Sequence, residues 1–169
     1  MNAKVIYVAG VPAAGKTTIM KRVREALFAG AEQFGQGACK GIRCGDLYMI
    51  GVFDGSTFEG TDRLSMTAID DVLAFIEGLQ GGTVLVEGDR LFNERFLRTT
   101  RATVVLIDAD KAIIKQRHST RDQQSETFLK GRRTKIENFK KRHPKVRTFW
   151  NNTLTDSQRI AKMIIQATK

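Results

Sequence analysis

Eight residues near the amino end, from Gly10 to Thr17, read "GVPAAGKT" and match the pattern G-x-x-x-x-G-K-[ST] in full. In this pattern the glycines permit a tight turn, and the backbone N–H groups of the loop point at phosphate oxygens. Lys16 is expected to act in catalysis at the β- and γ-phosphates of a nucleoside triphosphate, and the Thr17 hydroxyl to bind Mg²⁺. The predicted nucleotide contacts are Gly10, Val11, Pro12, Ala13, Ala14, Gly15, Lys16, Thr17 and Thr18.

Two acids, Glu87 and Asp89, follow a second apolar run in "TVLVEGDR". A Mg²⁺ ion that accompanies a triphosphate usually has a protein acid at the end of a neighbouring strand. We therefore expect Glu87 to hold the Mg²⁺ shell, and Arg90 to bind a phosphate of the substrate or to stabilise Asp89. The alternative interpretation is an ordinary turn at a strand end that carries surface charges.

An arginine-rich stretch from Lys115 to Lys135, "KQRHSTRDQQSETFLKGRRTK", resembles a lid over a phosphate site. Arg117 and Arg121 are four residues apart and therefore share one face of a helix. They are predicted to contact the triphosphate and to act in catalysis, because guanidinium groups neutralise charge during phosphoryl transfer. Arg132 and Arg133 are predicted to contact the substrate, in a lid of about residues 117–135. The alternative is solvated surface charge.

The stretch "GVFDGSTFEGTDRLSM", from Gly51 to Met66, is too long and too polar for a simple turn. A hydroxyl that attacks a phosphate needs a base or an orienting carboxylate. Asp54 ends the run "YMIGVFD", so it is predicted to lie at the carboxyl edge of a sheet and to serve as the base. Asp62 is the second choice, since "TDRLSM" can also begin a helix that Thr61 or Asp62 would cap.

Other residues of this stretch have weaker assignments. Arg63 is expected to bind a phosphate on the acceptor side, or else to pair with Asp62. Phe58 is predicted to stack on a base, as aromatic residues do in single-strand binders, with packing into the core as the alternative. Glu59 is expected to lie in solvent, and the glycines of the stretch are expected to let the backbone approach a bulky acceptor.

Alternating apolar runs and helical patterns predict the frame that positions these residues. Strand patterns cover residues 4–10, two runs around Gly45, 83–89, 102–110 and 146–150, whereas residues 35–41 have the composition of a glycine-rich connection. Helical patterns occupy the intervals, with Thr155 to Gln158 as a capping box for the last helix. Strands that alternate with helices predict an α/β fold of three layers, with a mostly parallel sheet between helices, in a single domain of residues 1–169.

The net charge of +10 is concentrated in one part of the chain. Residues 111–147 contain 13 Lys/Arg and 3 Asp/Glu, and the rest of the chain is neutral. A concentrated basic segment favours a polyanionic partner, and here we expect DNA. The alternative is a solvated, charged helix face.

The remaining composition sets limits on compartment and redox state. The chain has two cysteines, Cys39 and Cys44, which are too few for a zinc site and are expected to be reduced thiols. Apolar runs of about five residues cannot span a bilayer, and the amino end has no signal-peptide pattern, so we expect no membrane partner and a cytoplasmic location. The sequence does not indicate an oligomeric state.

Together, "GVPAAGKTT", the "EGDR" strand end, the arginine lid and "WNN" before a final helix resemble the nucleoside- and nucleotide-kinase branch of the P-loop fold. This resemblance spans most of the chain and implies a kinase that uses ATP and Mg²⁺. In that branch the segment after the last strand often contacts adenine, which makes Asn151 and Asn152 candidates for this contact.

More narrowly, "GVFDGSTFEGTDRLSM" with "VEGDRLFN" resembles small phage-encoded kinases that phosphorylate the hydroxymethyl group of 5-hydroxymethyluracil within DNA. The resemblance implies DNA as the partner and the host cytoplasm as the location. Three alternatives remain open: a kinase of free nucleosides or nucleotides, a polynucleotide 5′-hydroxyl kinase, and an NTP-dependent DNA-binding ATPase that is not a kinase.

Overall fold

The computed structural model describes residues 2–55, 59–119 and 126–169. Within these residues the strands are β1 (Lys4–Gly10), β2 (Glu32–Gln36), β3 (Cys39–Cys44), β4 (Leu47–Ile50), β5 (Thr83–Glu87), β6 (Thr103–Asp108) and β7 (Thr148–Trp150). The helices are α1 (Lys16–Leu27), α2 (Ala68–Gly78), α3 (Glu94–Thr100), α4 (Lys111–Ser119), α5 (Glu126–Arg142) and α6 (Leu154–Ala167). A single turn of 3₁₀ helix covers Thr61–Arg63.

The strands form one sheet in the order β2-β3-β4-β5-β1-β6-β7. Strands β4, β5, β1, β6 and β7 run parallel, whereas β2 and β3 are attached as antiparallel neighbours at one end. Helices flank the sheet: α1 packs along α6, and α2 packs on α3 and β3. The predicted α/β fold with a mostly parallel sheet between helices is therefore confirmed.

The central strands are buried because their side chains are apolar on both faces. In β1 the residues from Val5 to Gly10 are all buried, as parallel strands covered by two layers of helices require. Tyr7 is the polar exception, and its hydroxyl donates a hydrogen bond of 2.9 Å to the carbonyl oxygen of Gly88. Its ring packs against Phe92 and Phe96, which ties the middle of the sheet to α3 and to the turn after β5.

The predicted connection at residues 35–41 is wrong, because this region is the β2–β3 hairpin. The sequence of β2, "EQFGQ", has one apolar residue, Phe34, so the strand carries almost no apolar signal. Phe34 crosses Gly41 of β3 and stacks on Phe75 of α2 with ring centroids 4.7 Å apart. The two strand runs predicted around Gly45 are confirmed as β3 and β4, which form a hairpin with Gly45 at φ +57°.

Two element ends differ from the sequence prediction. Strand β4 ends at Ile50, so Asp54 lies four residues beyond it and not at its end. The capping box of α6 is formed by Thr153 and Asp156, two residues before the predicted Thr155, because the chain leaves β7 at Trp150 and turns into the helix at once. The predicted break in the lid, near residues 119–125, falls almost wholly outside the described residues.

Candidate functional site

The loop Gly10–Thr17, here called the phosphate loop, joins β1 to α1 at the carboxyl edge of the sheet. Gly10 has φ +156°, and a Cβ there would collide with the carbonyl oxygen of Ile107 on β6. Gly15 is the N-cap of α1 and has φ +86°, which an L side chain rarely adopts. Ala13 has φ +60° between them. This backbone path produces a concave loop at a helix N-terminus, where N–H groups bind anions.

Asn151 supports the phosphate loop through a hydrogen bond to its backbone. Its side chain is buried, and its Nδ2 donates a hydrogen bond of 2.7 Å to the carbonyl oxygen of Ala14. Its Oδ1 accepts a hydrogen bond of 2.7 Å from the hydroxyl of Ser157 on α6. The sequence suggested that Asn151 contacts adenine, but the buried amide is committed to the loop backbone. Its neighbour Asn152 is joined to Asp110 by two hydrogen bonds.

Two cations lie against the phosphate loop. The Lys16 Nζ donates to the carbonyl oxygens of Gly10 and Val11 at 3.1 and 3.2 Å. Arg117 of α4 donates through Nη1 to the carbonyl oxygen of Ala13 at 3.4 Å. Lys16 within the loop and Arg117 beside it are two of the three cations that are predicted to contact the triphosphate. Arg121, the other predicted contact in the lid, lies outside the described residues.

Glu87 is the last residue of β5 and is paired in register with Val8 of β1. Its carboxyl group and Thr17 line one small cavity of about 60 Å³. Burial raises the pKa of Glu87 to about 7, and the nearby Asp62 charge also raises it, while Lys16 and Arg132 lower it. The two residues predicted to hold Mg²⁺, Thr17 and Glu87, thus line the same cavity.

The turn after β5 is held by the 3₁₀ turn at Thr61–Arg63. The Asp62 Oδ1 accepts hydrogen bonds from the backbone N–H groups of Asp89 and Arg90 at 2.9 and 3.0 Å. The Thr61 hydroxyl donates to the carbonyl oxygen of Glu87 at 2.6 Å. The alternative that "TDRLSM" begins a helix is found in part, since a 3₁₀ turn begins at Thr61 and α2 only at Ala68. The capping by Thr61 or Asp62 is wrong, because the N-cap of the 3₁₀ turn is Gly60 and no side chain caps it. Asp62 instead caps the turn that follows Glu87.

Arginines of the lid and of the turn form a network around Asp62. Arg132 of α5 pairs with Asp89 and lies 3.4 Å from the Asp62 carboxylate. Arg90 donates to the backbone oxygen of Asp62 at 2.8 Å, so it is Arg132 and not Arg90 that pairs with Asp89. Arg133 follows Arg132 on α5 and is half-buried. The lid helix is thereby connected to the strand end that carries Glu87.

The segment from Gly51 to Arg63, here called the acceptor segment, closes on itself. The N–H and C=O groups of Val52 and Gly60 form two hydrogen bonds of 3.1 and 3.0 Å. A Cβ on Gly51, at φ +143°, would collide with Gly60. The glycines therefore allow the two ends of the segment to cross each other. This crossing is enough to explain why the segment contains glycines, without the expected approach of a bulky acceptor.

Asp54 lies at the outer part of the acceptor segment and is half-exposed. Arg63 Nη1 is 2.6 and 2.5 Å from its two carboxylate oxygens. The alternative pairing of Arg63 with Asp62 is not the one found. Asp54 and Arg63 therefore form one ion pair at the surface of this segment. Phe58 lies outside the described residues.

Glu59 was expected to lie in solvent, but its side chain is only 18% exposed. Its carboxylate pairs with Arg24 of α1 and accepts a hydrogen bond of 2.8 Å from the N–H of Gly55. The Arg24 guanidinium also lies 5.4 Å from the centroid of the Phe53 ring. An acid in the acceptor segment is thus tied to the helix that begins at the phosphate loop. The sequence carries no signal for this pair, since 35 positions separate the partners.

In the described part of the basic segment of residues 111–147, some cations form ion pairs with acids and others are exposed to solvent. Lys140 bonds to Asp108 and Glu137, and Arg142 pairs with Glu94, in addition to Arg132 with Asp89. Apart from Arg142, which is itself exposed, the exposed basic side chains among the described residues of the segment are Lys111, Lys115, Lys130, Lys135, Lys141, Lys145 and Arg147.

Both cysteines are free thiols in this structure. Cys39 is buried, which raises the pKa of its thiol to about 12. Among the described residues we find no helix long and apolar enough to cross a membrane. No group of three or more His, Cys, Asp or Glu side chains in the described ranges is arranged to hold a metal ion by itself.

Comparisons with known proteins place this chain in a family. The sequence model of the family described as P-loop Nucleotide Kinase3 matches residues 1–145. No curated protein sequence matches the chain. Among solved structures, a shikimate kinase from Bacteroides thetaiotaomicron is 14% identical, with 95% of this chain and 98% of that chain covered and a TM-score of 0.46. A sugar kinase from Janibacter sp. HTCC2649 is 12% identical, with coverages of 98% and 91% and a TM-score of 0.45. Because the family match covers most of its length, the chain belongs to the P-loop Nucleotide Kinase3 family.

Proposed function

We propose that the protein transfers the γ-phosphate of ATP to a hydroxyl group on a modified base in DNA, of the 5-hydroxymethyluracil type. Membership in a P-loop nucleotide kinase family supports the phosphotransferase part of this proposal. The acceptor part rests on the acceptor segment and on the basic segment, together with the resemblance of "GVFDGSTFEGTDRLSM" to the phage kinases.

The donor half of the reaction uses the phosphate loop. Its N–H groups and Lys16 bind the β- and γ-phosphates, and Arg117 lies close enough to the loop to reach the same anion. Thr17 and Glu87 fit a nucleotide-bound Mg²⁺, because this ion prefers oxygen ligands and takes most of them from phosphate and water. Bound there, Mg²⁺ would neutralise charge on the β- and γ-phosphates.

The acceptor half uses Asp54, which orients the attacking hydroxyl and receives its proton. Arg63 Nη1 donates to both oxygens of the Asp54 carboxylate and holds it in one orientation. Two contacts fix the position of this carboxylate relative to α1. They are the backbone bridge between Val52 and Gly60 and the ion pair between Glu59 and Arg24.

The single observation that supports a DNA acceptor is the excess of cations in residues 111–147. A mononucleotide kinase needs a few arginines for its phosphates, and Arg117 and Arg132 are already committed at the site. The exposed cations that remain on α4, α5 and the turn before β7 suit a backbone with many phosphates. A base that reaches a γ-phosphate under a lid must leave the stack, so single-stranded or flipped substrate is expected.

A second candidate, a kinase of free nucleosides or nucleotides, is favoured by the internal ion pairs of the same segment. Arg132, Lys140 and Arg142 each pair with an acid of the same chain, which reduces the positive charge that is left to bind a polymer. In this case the basic segment is a lid and a structural helix. DNA then binds weakly or without effect on the transfer.

One assay separates these functions. The protein is incubated with γ-labelled ATP and Mg²⁺ and offered duplex DNA that contains 5-hydroxymethyluracil, unmodified DNA with 5′-hydroxyl ends, and free nucleosides and nucleotides. We expect label inside the modified duplex. Label on free nucleotides alone establishes the second candidate, label on DNA ends indicates a polynucleotide kinase, and phosphate release without an acceptor indicates an ATPase.

A further inference from the structure

A second, larger cavity of about 410 Å³ lies between the β2–β3 hairpin and residues 51–54. The side chains that matter for its chemistry are Gln33, Lys40, Phe53 and Asp54, and Gly35 contributes bare backbone. Its volume falls in the range of small-molecule sites. The hairpin includes β2, the strand that the sequence prediction missed.

The cavity adjoins the reaction site. Phe53 lines both this cavity and the smaller one that contains Thr17 and Glu87. Asp54, the proposed base, lines only the larger cavity. A molecule in the larger cavity therefore contacts the proposed base, and Phe53 lies at the border between the two cavities.

The lining favours one unit of a nucleic acid. Phe53 offers an aromatic face beside the aliphatic side chains of Val52 and Ile42, which suits a flat heterocycle. The Gln33 amide carries both a donor and an acceptor, the combination that reads a base edge, and its Nε2 lies 3.5 Å from the carbonyl oxygen of Phe53. Lys40 is an exposed cation at the same cavity, as a neighbouring phosphate requires.

We infer that this cavity is the acceptor subsite, and that it takes a single flipped-out pyrimidine nucleotide, with its hydroxymethyl group toward Asp54 and its phosphate at Lys40. The inference rests on the proposed function, because it names where that acceptor binds. The hairpin β2–β3 then sets acceptor specificity, while the phosphate loop handles the donor.

Gly35 offers a direct way to fill the subsite. Gln33 reaches the carbonyl oxygen of Phe53, so the side-chain direction of Gly35, two residues along the same strand, is toward the cavity. A Cβ at Gly35 meets nothing closer than the Cys39 carbonyl oxygen at 3.8 Å, and its φ is not positive. Gly35→Leu should therefore fold while occupying the space. Gly78→Leu is the matched control, since Gly78 on α2 also has open space and an ordinary φ.

The experiment measures binding and transfer separately. Binding of 5-hydroxymethyl-dUMP is titrated calorimetrically in the presence of a non-hydrolysable ATP analogue and Mg²⁺. We expect Gly35→Leu to weaken this binding by about tenfold or more, with the affinity for the ATP analogue unchanged and Gly78→Leu like wild type. Thermal unfolding of each variant shows that the fold is retained.

Lys40→Ala provides a second, independent readout. Wild type should bind 5-hydroxymethyl-dUMP more tightly than the uncharged nucleoside 5-hydroxymethyldeoxyuridine, by about tenfold or less. Lys40→Ala should remove most of this difference in affinity without changing the affinity for the nucleoside. A purely structural effect of the substitution would weaken both ligands equally, and that result would contradict the assignment of Lys40.

The two proposals fail in different ways. If wild type labels modified DNA and Gly35→Leu does so equally well, the subsite is wrong and the function stands. If wild type labels free nucleotides only and Gly35→Leu weakens their binding, the subsite stands and the DNA acceptor is wrong. If wild type does not bind 5-hydroxymethyl-dUMP at all, the subsite inference is overturned.

Discussion

On the proposed donor side, residues 10–17 form one continuous loop at the N-terminus of α1, and we propose that its own N–H groups bind phosphate. The proposed acceptor side, in contrast, is assembled from side chains distant in sequence. The acceptor segment is held by Glu59 on Arg24, by Asp54 on Arg63 and by Asp62 on the turn after β5. A loop made of backbone needs glycines at fixed spacing, so its sequence is recognisable. A site made of long-range side-chain pairs has no such pattern.

The two sides are nevertheless connected at defined points. Glu87 faces the donor cavity, and the turn that follows it is capped by Asp62 of the acceptor segment. Arg24, two helical turns beyond Lys16 on α1, holds Glu59. We therefore expect donor-side substitutions to lower phosphate transfer to every acceptor. Acceptor-side substitutions should lower transfer but leave the affinity for ATP unchanged.

The largest effect is expected at Lys16. Lys16→Ala removes the cation that stabilises the charge on the transferred phosphate, and should lower kcat/KM on the order of 10⁴-fold for every acceptor. Steady-state kinetics with labelled ATP measure this loss. Lys162→Ala, an exposed substitution on α6, is the control and should retain wild-type kinetics. Retained transfer in Lys16→Ala would contradict the donor-side assignment.

Asp54→Asn tests whether the two sides separate. It removes the group that receives the hydroxyl proton, so kcat should fall by about 10³-fold while the dissociation constant for ATP stays the same. Binding of a fluorescent ATP analogue and single-turnover transfer are measured on the same preparation. If transfer survives, Asp62 becomes the base to test, although its Oδ1 accepts two backbone N–H groups in this structure.

Glu87→Gln tests the point where the donor side meets the acceptor side. Loss of the carboxylate should lower activity by about 10- to 100-fold and raise the Mg²⁺ concentration needed for half-maximal rate. The measurement is a Mg²⁺ titration of the initial rate. An unchanged Mg²⁺ dependence would show that Glu87 does not belong to the metal shell.

The same variant has a consequence for stability in metal-free buffer. Burial raises the pKa of Glu87 to about 7, so between its ordinary pKa and pH 7 the folded chain holds more protons than the unfolded one. The free energy of unfolding therefore decreases as the pH rises through this range, by on the order of 3 kcal/mol from this group. Urea unfolding at pH 5 and pH 8 should show this decrease in wild type and a smaller one in Glu87→Gln.

The sequence predicted the donor side because its signals are local. The phosphate loop, the strand that precedes it and the acid at the end of β5 were all recognisable from spacing and apolar runs. Strand β2 was missed because it has only Phe34 to bury, against Phe75 of α2. An edge strand with polar side chains has the composition of a loop, and only tertiary contacts make it a strand.

The acceptor side was predicted in part only. The sequence marked the segment as unusual and singled out Asp54 and Asp62, but not the partner of either. Glu59 was expected in solvent, since no local pattern pairs it with Arg24 on a helix 35 residues earlier. The role of Asn151 was also missed, because the loop carbonyl that it supports is 137 positions away.

Glu59→Gln should have an intermediate effect that is confined to the acceptor side. The neutral amide loses the ion pair with Arg24, so the acceptor segment loosens and transfer should fall by about tenfold, with ATP binding unchanged. The matched control is Glu32→Gln, which breaks the exposed pair of Glu32 with Arg43 and should have almost no effect. Equal effects of the two substitutions would show that Glu59 does not position the segment.

The smallest effects concern the exposed cations, and neighbouring lysines of α5 make the test sharp. Lys141 is exposed, whereas Lys140 bonds to the carboxylates of Asp108 and Glu137 at 2.7 and 3.1 Å. If DNA contacts this helix, Lys141→Ala should weaken binding a few-fold and reduce the slope of log affinity against log salt by about 1. Lys140→Ala should leave that slope unchanged and instead lower the free energy of unfolding, because Asp108 loses its partner. Fluorescence anisotropy with labelled DNA over a range of salt concentrations gives the slopes, and urea unfolding gives the stabilities. A flat salt response in wild type, with both variants alike, would assign residues 111–147 to the lid and the fold alone.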